Sequence, residues 1–102
     1  MIDPSATAAV RSTAEVATAR AARYMTQLCK HFAHRCPVTH DERAGRISFA
    51  MGECRLHAAT GVLTLSLEAA EAPRMAQLQE VVARHLLRFA FREDMQVDWR
   101  PA

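Results

Sequence analysis

Two of the three cysteines and two of the five histidines fall within residues 28–37, as Cys29, His31, His34 and Cys36. Thiolate and imidazole are the side chains that hold zinc, iron or copper. Histidines three positions apart can share one face of a helix, so His31 and His34 could ligate one metal or contact a haem iron. The same two residues near a helix C-terminus are also an ordinary solvated pair, because the dipole there favours imidazolium. A cysteine nucleophile is harder to place here. A helix C-terminus raises a thiol pKa rather than lowering it, and Lys30 and Arg35 offset that only in part.

The elements that must position these groups follow from hydrophobic period. Residues 1–12 show none and read as a flexible N-terminal arm. Residues 13–18 alternate weakly and suggest a first strand. From Arg20 the period changes, and Ala21, Met25, Leu28, Cys29, Phe32 and Cys36 form one helical stripe, with Thr18 as the expected N-cap. Pro37 ends that helix and pushes Cys36 out of helical conformation. Residues 38–42, 46–50, 53–58 and 62–69 then read as four hairpin-linked strands. Turns are expected at residues 42–45, where Gly45 could take positive φ, at Met51 and Gly52, and at residues 59–61. The clearest strand puts Leu63, Leu65, Leu67 and Ala69 on one side and Thr64, Ser66 and Glu68 on the other. Pro73 suits the start of a second helix. Its stripe is Met75, Leu78, Val81, Val82, His85, Leu86 and Phe89, ending near Glu93. Residues 96–99 suggest a short closing strand.

The order is β-α-β-β-β-β-α with a short final strand. Because one face of the meander is polar, both helices must cover the other face. The fold class is therefore α+β: a two-layer sandwich, with an antiparallel sheet of four to five strands and two helices on one face. Residues 13–102 form a single domain, as the length of 102 residues requires.

That arrangement aims three soft ligands from three elements at one core: Cys29 from the first helix, Cys54 from the inner sheet face and His85 from the second helix. They are the candidate metal ligands. The alternative is packing, since free cysteine behaves as a small hydrophobe and no Cys-x2-Cys or His-Glu-x-x-His spacing is present. The outer sheet face carries Arg46, Ser48, Glu53, Arg55, His57, Thr64, Ser66 and Glu68, a solvated surface or a seat for a partner or a second copy of the chain, giving a homodimer.

Composition excludes several classes. The net charge is +2, the basic residues are dispersed and Lys30 is the single lysine, so nucleic acid is not an expected partner. No apolar run approaches the ~20 residues of a membrane span. Asp3 and Pro4 stand where a secretory signal would begin, and three cysteines suit reduced thiols in the cytoplasm. No nucleophile elbow, P-loop or Ser-His-Asp order appears, and no catalytic residues are assigned.

Residues 28–34 and 85–93, with Gly52, Cys54, Leu56, Val97 and Trp99, resemble the bacterial family known as domain of unknown function 2218. The resemblance runs from about Ser12 onward. It implies a small bacterial protein without an assigned activity. Similar domains are joined to siderophore-interacting flavin reductases, which implies an association with iron handling. The family's signature positions fall on His31, His34, Cys54 and His85, the ligand-binding candidates. Arg35 stands where lysine is frequent, and Cys36 lies outside the pattern.

The leading expectation is a non-enzymatic cytosolic binding or accessory domain tied to iron or siderophore metabolism, with a siderophore-interacting reductase as partner. The second is a metal- or haem-binding protein using His31, His34, Cys29, Cys54 and His85. The third is a thiol-dependent redox enzyme using Cys29 or Cys54.

Overall fold

The structure, a computed structural model, describes residues 9–102. The chain runs β1 (Val10–Ala17), α1 (Ala21–Phe32), β2 (Val38–His40), β3 (Ala44–Phe49), β4 (Gly52–Ala59), β5 (Val62–Ala69), α2 (Ala72–Phe89) and β6 (Arg100–Pro101). The strands make one antiparallel sheet in the order β2-β3-β4-β5-β1-β6. The short β2 and β6 are its edges.

Period-two alternation decides which sheet face is buried. Cys54, Leu56 and Ala58 of β4 and Leu63, Leu65, Leu67 and Ala69 of β5 point inward. Register aligns them across strands: Ile47 lies opposite Cys54, Cys54 opposite Leu67, and Leu67 opposite Ser12. Helix α1 lays Ala21, Tyr24, Met25, Leu28, Cys29 and Phe32 on this surface, over β2, β3 and β4. Helix α2 lays Met75, Leu78, Val82 and Leu86 beside it, over β5, β1 and β4. Both helices lie on one face, and the expected two-layer α+β sandwich is what forms. On the opposite face the side chains of Arg46 and Glu53 pair through two contacts of 2.6 and 2.7 Å, as a cross-strand ion pair should.

Several boundaries differ from the sequence expectation, each for a physical reason. Strand β1 starts at Val10, because its register runs the full length of β5 as far as Ala69. So Val10, Arg11 and Ser12 belong to the sheet rather than to an arm, and residues 1–8 lie outside the described residues. Thr18 does not cap α1. Arg20 takes that position without a side-chain cap, and Thr18 Oγ1 accepts the Arg20 N–H at 3.1 Å from two residues away. Helix α1 stops at Phe32. Arg35 and Cys36 both donate backbone N–H groups to the Phe32 carbonyl, so His34 sits in the exit turn and not on the helix. Helix α2 likewise ends at Phe89, short of Glu93, with Pro73 in its first turn after an extended Glu71.

The turn expected at residues 42–45 comes earlier. Asp41 Oδ1 accepts the N–H groups of Arg43 and Ala44 at 2.8 and 2.9 Å, which closes the turn before Ala44. Gly45 is therefore inside β3 and its φ is not positive. Its use is space: a Cβ there would stand 2.8 Å from Cys29 Sγ. The closing strand pairs Arg100 and Pro101 with Thr13 and Ser12. Val97 and Trp99, placed in the expected strand, instead pack as half-buried residues against the core.

Candidate functional site: the histidine seam

His31 ends α1 and His85 lies in α2, and the packing of the two helices brings their rings to 5.1 Å between centroids at a 44° tilt. Phe32 stands edge-on to both, at 4.9 Å from His31 and 4.8 Å from His85. Phe89 meets His31 at 5.6 Å, and Phe49 of β3 closes on Phe32 at 4.8 Å. Two imidazoles thus sit in an aromatic seam between the helices, with His85 half-buried and His31 open to solvent.

The protonation geometry of His85 follows from one contact. Its Nδ1 lies 2.7 Å from the Val81 carbonyl oxygen. A carbonyl only accepts, so Nδ1 carries the proton and donates it. In the neutral ring Nε2 is then a free lone pair. This is the arrangement in which a histidine is oriented for metal ligation, with the other ring nitrogen held by a carbonyl. Across the seam, loss of hydration is the largest influence on His31. Positive charge from His85, Arg35, Arg88 and His34 adds to it, and the ring is held below the ordinary imidazole range. His31 therefore gives up its proton more readily than a free imidazole does.

The cysteines form a separate pair. Cys29 and Cys54 are each 0 % exposed, within the apolar cluster under α1. Burial pushes the Cys29 thiol up, and burial followed by the nearness of Cys29 pushes Cys54 up much further. Neither is a thiolate at neutral pH, and their surroundings are those of structural, unreactive thiols. Cys36 is the half-buried, more accessible thiol. Among the described residues no three His, Cys, Asp or Glu side chains are grouped so as to hold a metal ion. The candidate ligands Cys29, Cys54 and His85 sit in two different surroundings. All three face the helix–sheet layer, but the thiols are sealed in aliphatic packing while His85 turns its ring toward His31 and Phe32. His34, exposed in the exit turn, makes no ring contact with His31. Native protein treated with a chromogenic disulfide reagent is expected to show one fast thiol, Cys36, with Cys29 and Cys54 reacting only on unfolding. Rapid modification of either buried cysteine would reinstate thiol chemistry.

Sequence reasoning missed a polar node at the other end of α1. Glu93, expected only as the end of the second helix, accepts from Thr18 Oγ1 at 3.0 Å, from the Tyr24 hydroxyl and from Arg20 Nη1 at 3.4 Å. These bonds hold the carboxyl of Glu93 below its usual range, with Tyr24 the main cause, and the bond to Glu93 raises Tyr24 in turn. The partners lie about 70 residues apart in the chain, so no local pattern signals them. The node ties the segment after α2 to the start of α1.

No curated protein matches this chain. An NMR structure of PA4090 from Pseudomonas aeruginosa is similar, with 38% identity and a TM-score of 0.77, covering 91% of this chain and 97% of that one. The family described as "Uncharacterized protein conserved in bacteria (DUF2218)" matches residues 13–100, from within β1 to the first residue of β6. The chain belongs to this bacterial family.

Proposed function

We propose that the domain is a non-catalytic cytosolic binding domain whose ligand site is the histidine seam, and that its ligand is a transition-metal ion, iron first. The observation that carries this reading is the His85 Nδ1 bond to Val81, which leaves Nε2 free in a ring whose centroid is 5.1 Å from that of a second imidazole. Imidazole suits iron, copper, zinc and nickel. Two imidazoles leave other coordination positions to water or to donors from a partner. That suits an accessory role in iron or siderophore metabolism, beside a siderophore-interacting reductase, better than tight storage. Burial of Cys29 and Cys54 weighs against a thiol-dependent redox enzyme, and three unpaired thiols support a reducing compartment.

Untagged protein titrated with ferrous ion and with zinc is expected to bind about one equivalent, at ~2.0–2.1 Å from each ring nitrogen if zinc is taken. His85→Ala and His31→Ala are each expected to weaken binding by about tenfold or more, and His34→Ala to leave it unchanged. Protons compete for the same lone pairs. Binding should therefore weaken as pH falls, with His31 taking up its proton later than an unperturbed imidazole would. Metal well below one equivalent, with unshifted His31 and His85 resonances, would refute the site. A parallel titration with haem decides whether the seam takes the ion or its porphyrin. Absence of a siderophore reductase from a pull-down would remove that partner.

A further inference from the structure

A groove of about 470 Å³ runs between the first turns of α1 and the C-terminal end of α2, within the size range of small-molecule sites. It is lined by the rings of Tyr24, Phe89 and Phe91 and by three arginines, Arg20, Arg23 and Arg92. Phe91 is 75 % exposed, a large apolar ring left in water with the Arg92 guanidinium 5.4 Å from its centroid. Glu93, outside the lining, lies 3.4 Å from Arg20 and already accepts from Thr18 and Tyr24. Arg23 and Arg92 are in no ion pair among the described residues. The lining holds three cations and no carboxylate, which leaves the groove positive, and its cations are forks shaped for oxyanions.

We infer that this groove is a second binding site, for a small aromatic oxyanion: one flat ring carrying a phosphate or carboxylate group. The ring stacks on Phe91, which removes that face from water. The anionic group takes paired N–H donors from Arg23 and Arg92, with Arg20 held at the edge by Glu93. Anion charge relieves the repulsion among the three guanidiniums. It also relieves the placement of Arg23 in the first turn of α1, where no acidic residue offsets the dipole. The site adjoins the histidine seam through Phe89 but uses neither imidazole.

Phenyl phosphate, benzoate and inorganic phosphate are titrated separately into the full chain while NMR resonances are followed. At least one aromatic anion is expected to saturate the site about tenfold more tightly than inorganic phosphate, a margin of ~1.4 kcal/mol, with shifts at Arg23, Phe91 and Arg92. The tighter of the two identifies the anionic group. Arg23→Ala combined with Arg92→Ala should weaken its binding by about tenfold or more. Phe91→Ala should reduce the aromatic anion to the affinity of inorganic phosphate. These side chains are exposed, so thermal melting should show an intact fold, and the metal titration of the histidine seam should be unaffected. Absence of a saturable shift with both aromatic anions, equal affinity for inorganic phosphate, or unchanged binding in the double arginine variant would each overturn the site.

Discussion

Gly52→Ala is expected to destabilise the domain by ~3 kcal/mol or more, through overpacking and an unfavourable backbone conformation. Gly52 opens β4 directly after the β3–β4 turn, at φ 156°. A Cβ there would drive into the backbone oxygen of Glu68 on β5 and stand 3.0 Å from Leu78 Cδ2. The side chain of Leu78 can shift a little. The Glu68 carbonyl cannot shift without disturbing β5, where Glu68 stands opposite Glu53 of β4 and Arg11 of β1. Urea denaturation of the variant measures the cost, and a loss below ~1 kcal/mol would show that the hairpin yields.

Leu78→Ala is expected to cost ~3 kcal/mol, within the usual range for emptying a buried leucine site. Leu78 is fully buried at the centre of the α2 stripe and reaches the β3–β4 hairpin at Gly52. Two helices and a sheet meet there, so neighbouring side chains have little freedom to collapse into the space. Since Leu78 is one of the atoms a residue 52 Cβ would meet, the two substitutions should couple. The double variant should lose less than the sum of the single losses, yet remain well below wild type, because the Glu68 oxygen is still in place. Simple additivity in the same urea experiment would mean that Leu78 and residue 52 do not share a contact.

The legibility of the chain follows the range over which each interaction acts. Alternation along β4 and β5, and the Met75–Leu78–Val82–Leu86 stripe, are local patterns, and they were enough to set both layers and the buried sheet face. Cys29 and Cys54 were placed inward by the same periods, and both are fully buried. Gly45 was misread because a glycine beside a charged turn has two uses. Its absent Cβ serves the approach of Cys29 from another element, which no local pattern encodes. The closing strand was displaced because Val97 and Trp99 were read as ladder residues when they serve as half-buried packing. At the candidate site, the stripe marked His85 as inward-facing. The partnership of His85 with His31 depends on how α1 and α2 are rotated against each other, and Phe32, Phe49 and Phe89 fix that rotation together. The Glu93 node was invisible for the same reason, being made across most of the chain length.

The edges of the sheet have a consequence for assembly. Among the described residues the sheet ends in the three-residue β2 on one side and the two-residue β6 on the other, and β6 contains Pro101, whose nitrogen has no hydrogen to offer. On the β2 side so short an edge gives another chain few rungs to add to, whereas past β6 the outer side of Ala14–Ala17 of β1 has no strand paired to it among the described residues. A strand that lengthened the sheet would therefore find its longest unpaired stretch along the second half of β1.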